Sequence, residues 1–306
     1  MKTIQNFTIK IGIIGMMMAA TFIACKKEAD TLDTPAEKQV FAETTTISDV
    51  EAEEVFDDVL DNVMGAEGVG IPGVGIFMGD KHPSALGDEV ISAIAGTDSS
   101  RCFKVTRVLK DSTKPFPVTI TLDFGTGCTD PRGRTRKGKI ITEYTGNLLI
   151  PGSATITRFE NYYLDSFKVE GTHKIVNVGT LEKRAMRIIV NGAKLSKANG
   201  DYTQWNSEKT IEQVEGLISL INPLDDIFKI TGAGNGAVKK GEKFYQWSKV
   251  ITEPLVKRFS CRWFSKGIVK MKHNDADVAE LNFGDGNCDN IATLTINGVS
   301  KEITLR

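Results

Sequence analysis

Val118-Thr119-Ile120-Thr121-Leu122-Asp123-Phe124 sets an apolar side chain at every second position and a polar one between. Successive side chains of a strand point to opposite faces, so this stretch predicts a β-strand with one buried and one wet face. The same period of two returns at Lys139 to Tyr144, Ala154 to Phe159, Phe167 to Val176, Ala185 to Val190, Phe244 to Ile251, Gly267 to Lys272 and Ala292 to Ile296. Among the intervening turn signals, Asn191-Gly192, Asn199-Gly200, Asn235-Gly236 and Asn297-Gly298 are dipeptides that two-residue hairpins favour. The fold class expected is mostly β: an antiparallel meander forming a curved or partly closed sheet that hides its edges.

Composition agrees with a packed core. Of 306 residues 41% are hydrophobic and 25% charged, and 29 glycines against 9 prolines favour many turns. With 38 basic and 39 acidic residues, the net charge of -1 supplies no global field for a polyanion, so nucleic acid is not an expected partner. No apolar run reaches the roughly 20 residues that a bilayer span needs.

The start of the chain reads as an address. Lys2 and Lys10 precede an apolar stretch from Ile11 to Ala24, and Cys25 follows directly. That is the layout of a signal peptide. Phe22-Ile23-Ala24-Cys25 resembles a lipobox, in which cleavage before the cysteine leaves it carrying lipid. The resemblance implies residues 1–24 as a lipoprotein signal peptide, Cys25 as the lipidated residue, and stable attachment to a membrane by acyl chains. Residues 26–64 hold three lysines and twelve carboxylates. Residues 25–46, rich in Thr, Glu and Asp, are expected to be the lipidated cysteine and an acidic flexible tether.

Ser48-Asp49-Val50-Glu51 has the spacing of a capping box and predicts the start of one short N-terminal helix, with Gly65 as its C-cap. Val55, Phe56, Val59, Leu60 and Val63 would face the core, and Glu53, Glu54, Asp57, Asp58 and Asp61 would form a solvated face. The helix and the glycine-rich run after it, including Gly68 to Ile76, make up a segment over 47–96, ahead of a β-rich body over 97–306.

Apart from Cys25, the cysteines are Cys102, Cys128, Cys261 and Cys288. Cys102 precedes Phe124 by 22 positions and Cys261 precedes Phe283 by 22. The phenylalanines open Phe124-Gly125-Thr126-Gly127-Cys128 and Phe283-Gly284-Asp285-Gly286-Asn287-Cys288, two Cys-x21-Phe-Gly-x-Gly units that suggest an internal duplication. Each pair, Cys102–Cys128 and Cys261–Cys288, is centred on a turn-like stretch, so each disulfide would close the open end of a hairpin. Such a bond is worth about 3.5 kcal/mol on the chain-entropy model. No CxxC pair occurs, and His82, His173 and His273 are scattered, so no metal site and no cofactor are expected.

Signals for chemistry are sparse. G-x-S-x-G, HExxH and Walker A patterns are absent. Gly232, Gly234 and Gly236 form a GxGxG string without a following amphipathic helix, and it reads as a glycine-rich hairpin. Two features suit ligand binding. Arg132, Arg134 and Arg136 would share one face of an extended chain, either to pair with phosphate or carboxylate groups or as a solvated strand or loop that keeps an edge soluble. Trp205 and Trp247, each preceded by Gln, would stack on sugar faces if exposed and would be core residues if buried.

The signal, the acidic tether, Asp130-Pro131-Arg132-Gly133-Arg134 after the first unit, and Cys288-Asp289-Asn290 with Asn297-Gly298 together resemble β-rich lipoproteins of Bacteroidetes-type Gram-negative bacteria. The resemblance implies a lipid anchor in the outer membrane, facing the periplasm or the cell surface, and brings no activity with it. The functional expectation is a non-enzymatic cell-envelope protein that binds a ligand or another envelope component, with a glycan, a lipid or an envelope protein as its partner. The alternatives are a glycan- or lipid-processing enzyme with carboxylate catalysis and a structural assembly protein.

Overall fold

The computed structural model describes residues 32, 34–67, 103–130, 133–180, 182–216, 225–258, 260–261 and 263–305. One helix, α1 (Pro35–Glu67), is followed by fourteen strands. They are β1 (Lys104–Leu109), β2 (Val118–Asp123), β3 (Cys128–Thr129), β4 (Thr135–Tyr144), β5 (Ala154–Leu164), β6 (Phe167–Asn177) and β7 (Ala185–Ser196). Then come β8 (Tyr202–Glu215), β9 (Ile227–Lys240), β10 (Lys243–Arg258), β11 (Phe264–His273), β12 (Ala276–Asp285), β13 (Ile291–Ile296) and β14 (Val299–Thr304). All belong to one antiparallel meander in which each strand pairs with its neighbour in sequence, except that β4 pairs with both β2 and the two-residue β3. The sheet does not close, and β1 and β14 are its edges.

The period of two decides the faces. Val169, His173 and Ile175 of β6 and Ile188, Val190 and Leu195 of β7 are buried, whereas Arg187, Gln204 and Glu208 on the other face are exposed. Bulges interrupt the ladder between Lys137 and Lys139, Glu170 and Thr172, and Val190 and Ala193. Such bulges bend strands and raise their twist. At Gly171 (φ +116°) a Cβ would lie 2.7 Å from the Ala193 Cα, so only glycine fits that bend. The Asn191-Gly192 dipeptide belongs to the neighbouring bulge and Asn235-Gly236 to the interior of β9, so neither forms the hairpin turn its composition suggested. Asn297-Gly298 does join β13 to β14, with φ of +52° and +77°.

The helix lies across the strands on the inner face. From its N-terminus onward, the Pro35 carbonyl accepts from Asn297 beside β14, and Phe41 packs on Tyr245 of β10 and His273 of β11. Phe56 then meets Trp205 of β8, His173 of β6 and Phe159 of β5, and the Val63 carbonyl accepts from the Tyr144 hydroxyl of β4 at 2.6 Å. A helix of 33 residues is about 50 Å long, enough to cross most of the sheet. Phe41, Val55, Phe56, Val59, Leu60 and Val63 are at most 3% exposed. At about 1.5–3 kcal/mol for each side chain of this size, their burial makes α1 an integral part of the core.

The helix starts earlier than Ser48, which corrects the expectation of a tether through residue 46. Thr34-Pro35-Ala36-Glu37 is a second match to the capping-box pattern: the Glu37 N–H donates to Thr34 Oγ1 at 3.2 Å and the Thr34 N–H to Glu37 Oε2 at 2.9 Å. Pro35 occupies the first helical position, where its missing N–H costs nothing. Gly65 lies inside the helix, which continues to Glu67. The rest of the glycine-rich segment, 68–96, and the signal and lipidation site, including Cys25, lie outside the described residues.

Cys261 and Cys288 form a disulfide with a Cα separation of 5.7 Å, closing the open end of the β11–β12 hairpin. Cys128 is also disulfide-bonded, and Cys102 lies outside the described residues. Phe103 and Phe124 pack at 5.4 Å beside the first hairpin, and Phe264 and Phe283 at 5.3 Å beside the second. The likeness ends at the turns, which take up 110–117 in one hairpin and only Asn274-Asp275 in the other.

Candidate functional site

The strongest concentration of ionisable groups lies between α1 and the strands, built by two regular spacings. Asp49, Glu53 and Asp57 recur every four residues and share one stripe of the helix. Lys209 of β8 and Lys249 of β10 point inward from strands flanking β9. Lys249 Nζ donates to Asp49 Oδ2 and Glu53 Oε1, both at 2.7 Å, and Lys209 Nζ to Glu53 Oε2 and Asp57 Oδ1, both at 2.8 Å. Carboxylates and ammonium groups thus alternate along the seam. Of the acids expected on a solvated face, Glu54 is exposed, whereas Asp58 is buried and Glu53 and Asp57 are held by a lysine of the sheet.

The room for this ladder comes from β9. Gly232, Gly234 and Gly236 occupy successive inward positions of that strand, not a hairpin. Gly236 lies between Trp205 and Trp247 on the adjacent strands, and Gly234 opposite Lys249. A Cβ on Gly236 would lie 2.4 Å from the Trp247 ring, and one on Gly234 3.1 Å from the Lys249 stem. The three glycines form a trough into which large side chains of β8 and β10 lean.

Electrostatics fix the charge states. Burial alone would raise the Glu53 pKa, but Lys209 and Lys249 outweigh it and lower it to about 2. Burial alone would lower the two lysines, but their carboxylate partners drive both upward. These groups stay ionised near neutral pH and serve as ion-pair partners, not as proton donors or nucleophiles. His173 is fully buried with neither ring nitrogen hydrogen-bonded. Burial and nearby Lys209 lower its pKa to about 3, so it is a neutral ring packed by Phe56. Asp226 is raised to about 6 by burial and by Asp225, and its Oδ1 accepts from Gln213 Nε2 at 2.7 Å.

The residues proposed from sequence for ligand binding are placed differently. Arg132 lies outside the described residues. Arg136 is buried, its Nε and Nη2 holding both oxygens of Asp58 and its Nη1 donating to Asp130 at 2.9 Å. Arg134 reaches Asp58 at 3.3 Å and is about one-third exposed. Trp205 and Trp247 are 1% and 4% exposed. Trp205 Nε1 donates to Asp49 at 2.9 Å and its ring stacks on Phe56. Neither indole is open to a sugar face, because the helix covers the inner surface on which both stand. Arg134, Arg136 and Trp205 hold α1 to the sheet.

A small cleft of about 70 Å³ opens where the N-terminal half of α1 passes the ends of β6–β9. Leu195, Val238 and Phe167 supply apolar walls, and Lys197, Lys239 and Lys240 stand around it. No sequence signal marked it, since its parts come from distant segments. Among the described residues, no group of three His, Cys, Asp or Glu side chains is placed to hold a metal, and no helix is long and apolar enough to cross a membrane. No protein-family model matches the chain, and neither a curated protein nor a solved structure is significantly similar to it.

Proposed function

We propose that this protein is a lipid-anchored component of the bacterial cell envelope that binds a ligand or an envelope partner and does no covalent chemistry. Cys25 after the apolar stretch Ile11 to Ala24 supports the anchor. The observation that carries a binding role is the commitment of Asp49, Glu53, Asp57 and Asp58 to lysine and arginine partners under the helix. Carboxylate catalysis needs an acid and a base free to exchange protons with a substrate, and carboxylates already held in ion pairs do not offer that. Recognition then falls to the solvent-facing surfaces.

The test is metabolic labelling with palmitate in a Gram-negative host, followed by native mass spectrometry of the purified full-length protein. Label lost in Cys25→Ala, together with a co-purifying small molecule or envelope partner, is the expected result. Label retained in Cys25→Ala would contradict the anchor. Hydrolysis of a glycan or lipid by the purified protein would contradict the non-enzymatic reading.

A further inference from the structure

We infer that the outer face of β8–β10 is a platform for an uncharged glycan chain; this deepens the binding reading and rests on it. The ladder sets side chains of the three strands in rows. In one row Tyr202, Lys239 and Phe244 stand side by side, and in the next Gln204, Ala237 and Gln246. They alternate along their strands with Trp205, Gly236 and Trp247 of the inner face, so they point away from α1.

The chemistry of this patch differs from that of its surroundings. Elsewhere on the outer face cross-strand ion pairs meet the solvent, as in Lys139–Glu160, Arg187–Glu208 and Lys270–Asp277. Here amides take their place. Gln204 and Gln246 are exposed, and among the described residues neither side chain makes a hydrogen bond. In the row below, Asn206 Nδ2 donates to Asn235 Oδ1 at 3.2 Å and Asn206 Oδ1 accepts the Gly192 N–H at 2.8 Å, which fixes both amides in place. An amide offers a donor and an acceptor, as a sugar hydroxyl does. Lys239 is the one charge within these rows, and Asp201 of the neighbouring turn offsets it. At the border Lys194 faces Glu170 across the ladder. The patch therefore suits an uncharged, hydroxyl-rich ligand better than an anion.

The rings set the shape of that ligand. Phe244 is 42% exposed, and Tyr202 is half-buried with the Lys194 ammonium 4.8 Å from its ring centre. An exposed contact of that kind is weak enough for a sugar ring to displace it. The two rings lie two strand spacings apart, about 10 Å, close to the length of two sugar units in an extended chain. Ala237, the small side chain between the two glutamines, lets such a chain approach the sheet. A glycan laid across the strands would stack on Tyr202 and Phe244 and turn its hydroxyls to the amides. A bilayer surface would call for bulky aliphatic side chains or several unpaired cations, and these rows have neither.

The test is isothermal titration calorimetry of the detergent-solubilised full-length protein with cellohexaose, mannohexaose, laminarihexaose and maltohexaose. Saturable binding of at least one is expected, lost in Tyr202→Ala/Phe244→Ala and in Gln204→Met/Gln246→Met, and kept in Tyr202→Phe. The substituted side chains point away from the core, so the variants should fold, which the unliganded melting temperature checks. No saturable binding of any hexaose, or binding that survives both double variants, would overturn the platform. Binding to vesicles of phosphatidylethanolamine and phosphatidylglycerol that the same variants abolish, with no hexaose bound, would assign the face to a membrane and overturn the glycan. If every hexaose fails while native mass spectrometry finds a bound molecule of another class, the platform fails and the binding reading stands. Cleavage of a bound hexaose would support the platform and contradict the non-enzymatic reading.

Discussion

Lys249 shows how a charged side chain can belong to a core. Its ammonium group is held between Asp49 and Glu53, each at 2.7 Å, and its side chain is 9% exposed. Removing one partner of a buried pair leaves the other charge uncompensated, so Lys249→Met is expected to cost about 3–5 kcal/mol in urea denaturation. Gly236→Val should cost about 1–3 kcal/mol by the same measurement, because its Cβ would displace the Trp247 ring. His173 carries a pH signature. Its folded pKa of about 3 lies below the ordinary 6.5, so between these values the unfolded chain takes up the proton first and stability falls as pH is lowered. Glu53, shifted from 4.5 to about 2, loses its contribution as pH falls from 4.5 toward 2. Asp226, raised from 3.8 to about 6, gives a slope of opposite sign over the lower part of the range from pH 6.5 to 4.5, so the histidine is read from the difference between the wild-type and His173→Leu profiles. Its contribution there approaches about 1.4 kcal/mol per pH unit, and His173→Leu is expected to remove that slope from the profile.

Elements differ in how plainly their residues announce them. β2 was legible because its inward residues Val118, Ile120 and Leu122 are all apolar. β8 was not, because its inward row includes Ser207, Lys209 and Gln213, and β9 was hidden because glycines fill part of its inward row. Their polar or missing side chains make sense only beside α1, which no local window contains. The helix was half legible. Its apolar face from Val55 to Val63 stands out, but Thr44, Thr45 and Thr46 disguise the first turns, and two capping boxes compete. The structure uses Thr34-Glu37 and leaves Ser48 mid-helix. Thr34→Ala should therefore cost about 1 kcal/mol, and Ser48→Ala should change stability by no more than about 0.5 kcal/mol. Thermal denaturation of the two variants checks the order, and the reverse order would place the helix start at Ser48.

At the scale of the molecule, a single-layer meander is stabilised by one helix of its own chain laid across the strands. The antiparallel meander and the Cys261–Cys288 bond follow from periodicity and spacing in the sequence. The site is less legible, because the ion-pair ladder joins residues about 150–200 positions apart. The stripe Asp49, Glu53, Asp57 could have signalled it, since acids every four residues share one side of a helix and can face a row of cations. That spacing suits a wet face equally well, and only the inward lysines of β8 and β10 decide between them. The inner face is committed to holding α1, through Tyr144, Trp205 and Lys249 among others. The central claim is that α1 is core, not tether, and hydrogen exchange followed by mass spectrometry of peptides within 41–64 tests it most directly. Exchange as slow as that of β8 to β10, through global unfolding alone, is the result this account predicts. Exchange within seconds to minutes while those strands stay protected would contradict it.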